Sequence, residues 1–309
     1  MPSASDTVAG PSFAELQREL SPLDPRAWRF GALSTASRAG ALVSDGLRIG
    51  YQHGFDSGPF MAHVYANQPS GHTALGLAID RRLLARRTCQ AFREIRELAA
   101  DAVREAIESD PSPAPVVVDL AAGPAPYVFE ALAASPAAQA ILCDIDPAAL
   151  DQARAAAAAM QLADRVQFVQ GSAFNRGGLA GLDPRPSTVI ELGLYGIYHD
   201  DELIRRHFQD LAGIVAPEQI VFNVQTENPE IEHIARVWRD HRGERCVWRL
   251  RPLEMILEWA ADAGFAPATI RADRHRIYRV ARLERGDRVA RLERGDRVAR
   301  LERGGGGAR

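Results

Sequence analysis

Two aspartates close successive β-branched runs and could between them hold a small ligand that carries an amino-acid end and a ribose. The run VVVDLAAGPAPY places Asp119 just before a loop of small residues through Ala121, Ala122 and Gly123. Such a loop lets backbone approach a ligand closely, and the N-terminus of the helix behind it favours a carboxylate, while Asp119 can answer an ammonium. Asp144 lies 21 residues beyond Gly123, at the end of ILCDIDP. A strand-end carboxylate there can accept both ribose hydroxyls. Ile145 would flank a base, and Asp146 and Pro147 have the types of an N-cap and first helical residue. In VQFVQGSAF, Ser172 and Ala173 face the edge of that base, the hydroxyl accepting without the charge a carboxylate would bring.

Amino acid, ribose and adenine together describe S-adenosylmethionine, and the second and third glycines of a dinucleotide fingerprint are missing. The segment STVIELGLYGIYHDDE falls at the carboxyl end of a fourth strand, beneath the ligand. It offers Glu191 to the cofactor, Tyr195 and His199 as catalytic candidates, and Tyr198 to a substrate. VFNVQTENP adds Asn223 and Gln225 on the same crevice. Upstream, SDGLRIGYQHGFDSGPFMAHVYANQPSG reads as a loop dense in polar and aromatic groups. Tyr51, Asp56, Tyr65 and Asn67 are its substrate contacts, and His53 competes with His199 as a base. Methyl transfer from a sulfonium is an in-line displacement, so positioning and exclusion of water matter most, and a base is needed only for a nucleophile with a high-pKa proton.

The elements that position these residues alternate. Strands are expected at 116–120, 140–145, 166–170, 187–192 and 219–224, with helices at 127–134, 147–160, 200–213, 229–241 and 252–263. This is the signature of a parallel sheet covered on both faces. Runs at 268–272 and 275–280 are separated only by Asp273 and Arg274, which predicts a tight antiparallel hairpin at the sheet's end. The fold class is therefore α/β, a Rossmann-like class I methyltransferase arrangement: a mostly parallel seven-stranded sheet ending in that hairpin. Before it, residues 1–110 read as a mostly helical cap or substrate lid, including one long helix over 81–107 and the proline-rich linker SDPSPAP. Residues 111–281 form the binding domain. Residues 282–309 form an arginine-rich tail in which VARLERGDR repeats with a nine-residue period, too short and too poor in large apolar residues to build a solenoid core.

Composition narrows the class further. The 309 residues are 46% hydrophobic, enough for one large core, and their net charge of -3 with every basic residue an arginine argues against a nucleic-acid partner. No apolar run approaches the roughly 20 residues of a membrane helix. The N-terminus lacks the pattern of a secretory signal, so a cytoplasmic location is expected. Cys89, Cys143 and Cys246 are scattered without metal-ligand or disulfide spacing, so no metal is expected.

With these motifs assembled, the chain resembles a bacterial family of class I S-adenosylmethionine-dependent methyltransferases, some fused behind an α/β-hydrolase domain. The resemblance runs from about Ser44 to Val280. It rests on SDGLRIGYQHGFDSG, VYANQPSG, DLAAG, GLYGIYHDDEL, and the block from PEIEHIARVWRDHRG to RLRPLEMILEWAADAGF. It implies S-adenosylmethionine as cofactor and a small-molecule or lipid-like methyl acceptor. Two other readings follow from the residues. Ser172 and the stiff Pro124 and Pro126 loop fit a cofactor-binding regulator or assembly partner without catalysis. A nicotinamide-dependent oxidoreductase would need the glycines that are missing. The oligomeric state is not written in the sequence.

Overall fold

The computed structural model describes residues 10–286. Six helices precede the sheet: α1 (Phe13–Gln17), α2 (Pro25–Gly40), α3 (Asp45–His53), α4 (Gly58–Ala66), α5 (Ala74–Leu84) and α6 (Arg87–Glu108). Then come β1 (Val116–Asp119), α7 (Pro126–Ala134), β2 (Gln139–Asp144), α8 (Pro147–Ala159), β3 (Val166–Gln170), α9 (Arg176–Ala180), β4 (Thr188–Glu191), α10 (Leu194–Ile197) and α11 (Asp201–Asp210). The chain ends with β5 (Gln219–Gln225), α12 (Ile231–Val237), α13 (Leu253–Asp262), β6 (Phe265–Ala272) and β7 (Tyr278–Arg285).

The seven strands lie in the order β3-β2-β1-β4-β5-β7-β6, parallel except for β7, which runs against both of its neighbours. Alternation along the strands divides two cores. Val117, Ile190 and Val221 face α6, α7, α8, α12 and the N-terminal helices. Val118, Val189, Ile220 and Phe222 face α11 and α13. The N-terminal region is therefore continuous with the domain: α6 is the helix that covers one sheet face, with Ala99, Val103 and Ala106 wholly buried. Among the described residues no helix is long and apolar enough to cross a membrane.

Four expectations about elements are corrected. The polar segment after Ser44 is not a loop but α3 and α4, capped by the Ser44 and Ser57 hydroxyls. Buried Asp80 ties this region together, accepting from Ser44 Oγ at 2.7 Å, Gly46 N at 2.7 Å and Ser70 N at 3.0 Å, with His63 Nε2 at 2.9 Å. The long helix breaks at Arg86, whose backbone is extended. Glu230 holds the break from across the fold by accepting from Thr88 N and Oγ1 at 2.9 and 2.8 Å and pairing with Arg86 at 3.2 Å. The terminal hairpin turns over residues 273–277, because the Asp273 carboxylate accepts from His275 N and Tyr278 N and holds the turn open. Finally β7 runs to Arg285 with Ala281 and Leu283 buried, so the first copy of the VARLER repeat is a sheet strand and not tail. Residues 287–309 of the expected tail lie outside the described residues.

Candidate active site

At the carboxyl end of β1 the chain turns through Gly123 at φ +52, a conformation glycine adopts without strain, and enters α7 with Pro126 in its first turn. The turn is fixed to the next strand by Ala122 N donating to Cys143 O at 3.0 Å, and Gly123 N donating to Asp144 Oδ2 at 2.8 Å. Asp146 N donates to Asp144 Oδ1 at 2.9 Å. Burial raises the Asp144 carboxyl above its ordinary range, while these backbone donors pull the other way. Ala121, Gly123, Asp144, Ile145 and Ala173 line one end of a cavity of about 890 Å³. Ile145 is 53% exposed at its rim, an apolar face open to a flat ligand. The cavity is roofed by the start of α4. A Cβ at Gly58 would lie 3.1 Å from Ala149 Cβ and 3.8 Å from Gly123 Cα, so α4 packs closely on α8 and the cofactor loop here.

Several expected contacts are not in the cavity wall. Asp119 is fully buried behind the loop, where Tyr127 Oη donates to it at 2.6 Å and Ala121 N at 3.2 Å. Burial, against those bonds, raises its pKa to about 7. Glu191 lies on the Val189 face of β4, and its carboxylate is taken by the Tyr195 hydroxyl and His207 Nε2 in a wholly buried cluster. Tyr195 is thereby turned away from the crevice. Ser172 is exposed, its hydroxyl accepting from Phe174 N at 3.3 Å. Tyr51 packs edge-on to Phe55 and points its hydroxyl to Val237 O at 3.4 Å. Asn67 ends α4 in a left-handed turn, away from the cavity.

The other candidates do meet. His53, Asp56, Tyr65, Tyr198, His199, Asn223 and Gln225 all line the cavity with the cofactor loop. His199 places Nε2 2.7 Å from Val247 O, so that nitrogen donates and Nδ1 is the one left toward the cavity's other groups. Asp56, its side chain only 3% exposed, accepts from His241 N at 2.8 Å and faces His241 Nδ1 at 2.8 Å. Burial raises the Asp56 carboxyl above its ordinary range, partly offset by the His241 hydrogen bond. This pair staples the start of α4 to the loop after α12 across the mouth. Burial likewise drives the Tyr65 phenol above its usual range, which leaves it a donor and not a base.

Sequence reasoning missed the residues that hold these groups in place. Arg251, 1% exposed, donates to Asp201 and to the carbonyls of Tyr195 and Tyr198, pinning the loop that carries His199. His241, Trp248, Phe92 and Tyr278 also line the cavity. No local signal marks them, although the acid-dense start of α11 opposite a lone RLR hints at the Arg251 pairing.

A family model described as "Putative methyltransferase" matches residues 3–285. The chain is 34% identical over 273 residues to the uncharacterized protein YnbC of Escherichia coli (strain K12). That match covers 87% of this chain and 46% of YnbC, so the chain spans about half the length of this relative. Among solved structures, a "possible exported protein" from Bordetella parapertussis superposes with a TM-score of 0.63 at 17% identity, over 86% of this chain and 99% of that one. Magnesium protoporphyrin IX methyltransferase from Synechocystis PCC 6803, solved with SAH, superposes with a TM-score of 0.52 at 17% identity, over 76% of this chain and 97% of that one. At such identities the likeness is one of fold, the seven-stranded sheet with its antiparallel end. The sequence match over nearly the whole chain carries the assignment: this protein belongs to that methyltransferase family.

Proposed function

We propose that the protein transfers a methyl group from S-adenosylmethionine to a small-molecule acceptor held at the inner end of the cavity. The observation that carries this reading is the Gly123–Asp144 cradle: a loop amide and a strand-end carboxylate locked together at 2.8 Å on the cavity wall, with α4 packed closely over it at Gly58. The residues fit the cofactor. Asp144 has lone pairs left for ribose hydroxyls, Ile145 and Ala173 flank an adenine, and Ala121 to Gly123 present backbone to the amino-acid end. When bound, S-adenosylmethionine supplies an electrophilic methyl group.

The chain's own part is then to orient, to exclude water and to take a proton. The Asp56–His241 staple closes the mouth. Arg251 holds the loop from Leu194 to His199 rigid under the reacting centre. His199, with Nε2–H committed to the Val247 carbonyl, offers Nδ1 to a nucleophile that must lose a proton.

Calorimetry with S-adenosylmethionine and S-adenosylhomocysteine, with NADH as control, tests the proposal. Binding of both that Asp144→Ala loses is expected. Binding of NADH alone, or of none of the three by folded protein, refutes it. Cofactor binding without turnover over a broad acceptor panel would favour the regulator reading over the enzyme.

A further inference from the structure

Strand β5 alternates strictly. Ile220, Phe222 and Val224 enter one core, while Gln219, Val221, Asn223 and Gln225 face α6. Gln219 is satisfied there, donating to Ala106 O at 2.8 Å. The two polar residues at the strand's carboxyl end are not. Asn223 is 2% exposed and Gln225 3%. Asn223 Oδ1 accepts from Gly193 N at 2.7 Å, which fixes the amide's orientation, and its Nδ2 has no partner. Gln225 Nε2 has none either. Buried polar groups are nearly always hydrogen-bonded, so these two amides, on one face of the strand in a cavity wall, are donors open to a ligand or to ordered water.

What surrounds them is aromatic. Tyr278 stands directly across the β5–β7 ladder from Gln225. Its ring lies 5.6 Å from Phe92, which in turn meets Trp248 edge-on at 5.9 Å. All three line the same cavity. Two arginines also line the cavity: Arg242 pairs with Asp240 at 3.0 Å, and Arg96 meets Glu130 at 3.6 Å through Nη1 while its buried Nε has no partner. A single drug-sized ligand fills roughly 300–1,000 Å³. The cavity's 890 Å³ lies at the upper end of that range, room for a compact acceptor beside a cofactor.

We infer that the inner chamber binds a flat aromatic acceptor bearing ring oxygens, of the phenol or aryl-ketone class. Asn223 Nδ2 and Gln225 donate to those oxygens, and the Tyr278–Phe92–Trp248 wall packs on the ring. This deepens the methyl-transfer reading and rests on it for the identity of the neighbouring ligand.

The probe is 7-hydroxycoumarin, whose own fluorescence polarisation reports binding, titrated into the full chain with and without S-adenosylhomocysteine. Naphthalene, with rings but no oxygens, and oleate, a chain, serve as competitors. Gln225→Met keeps the volume and removes the amide. Because Gln225 has no protein partner, its melting temperature should equal or exceed that of wild type. The expected result is saturable binding, at least tenfold weaker in Gln225→Met, with naphthalene and oleate displacing the probe poorly. No binding up to about 1 mM, undiminished binding by folded Gln225→Met, or effective displacement by either competitor overturns the inference. Binding of S-adenosylhomocysteine is measured on the same samples by calorimetry. Its failure sinks the methyl-transfer reading, whereas its success with no probe binding sinks the chamber assignment alone.

Discussion

Asp119 gives a quantitative test of how the cofactor loop is supported. Its carboxyl is fully buried and titrates at about 7 against an ordinary 3.8, chiefly because burial disfavours the charge. Between those values the folded protein keeps a proton that the unfolded chain has lost. Folding therefore takes up a proton, and stability falls as pH rises from about 4 to about 7. Above that window the penalty is complete. At ~1.36 kcal/mol per pKa unit it amounts to about 4 kcal/mol. Asp119→Asn removes the charge and can still accept from Tyr127 or Ala121. Loss of the other bond takes back about 1 kcal/mol, so a net gain of about 3 kcal/mol is expected at pH 8. Urea denaturation followed by tryptophan fluorescence at several pH values between 4 and 8 measures it. The gap between variant and wild type should open with rising pH, and near pH 4 it should vanish or reverse by about 1 kcal/mol, the cost of the lost hydrogen bond. A gap independent of pH, or a variant less stable at pH 8, would refute the argument that Asp119 is a desolvated structural acid.

Three further outcomes follow from the same contacts. Asp144→Ala should weaken S-adenosylhomocysteine binding by about 100-fold or more, since two charge-assisted hydrogen bonds of roughly 1.5–3 kcal/mol each are lost; calorimetry reads this. Asp80 behaves oppositely to Asp119. Burial would raise its carboxyl, but the hydrogen bonds led by His63 outweigh that and hold it below the ordinary range. Its contribution is present above the unfolded carboxylate range and is lost as pH falls through the folded value. The urea midpoint difference between wild type and Asp80→Asn should accordingly shrink in acid. Arg251→Met leaves the Tyr195 and Tyr198 carbonyls unanswered; hydrogen exchange should show faster amide exchange confined to residues 194–201, and uniform acceleration across the domain would contradict the pinning role.

The cofactor end was legible because it is built locally. One strand, one turn and one helix carry Gly123 and Asp144 to each other, and the spacing of small and acidic residues records it. Asn223 and Gln225 were legible for a related reason: polar residues two apart at a strand's end share a face. Glu191 and Tyr195 were misread because position at a strand end does not say which face a side chain takes, and Glu191 falls on the side of Val189, toward α11. Within the N-terminal region, expected to be mostly helical, the segment after Ser44 was misread as a loop for a different reason. Glycines and histidines there lower helix propensity, yet α3 and α4 form because Asp80, distant in sequence, satisfies Ser44, Gly46 and Ser70 at once. The break at Arg86 is likewise decided from a distance, by Glu230. Contacts of that kind leave no periodicity to read, and the Asp56–His241 staple is another.

Strand β7 has a consequence for inheritance. Its VARLER hexamer recurs in sequence at 289–294 and again at 298–303. Tandem units are prone to slippage during copying, and a slip that removes one nine-residue unit after Val280 splices in an identical hexamer. The ladder to β5 and β6, with Ala281 and Leu283 in the core, is then rewritten without a single changed side chain. The strand between β5 and β6 is in this sense buffered against the in-frame loss of one unit.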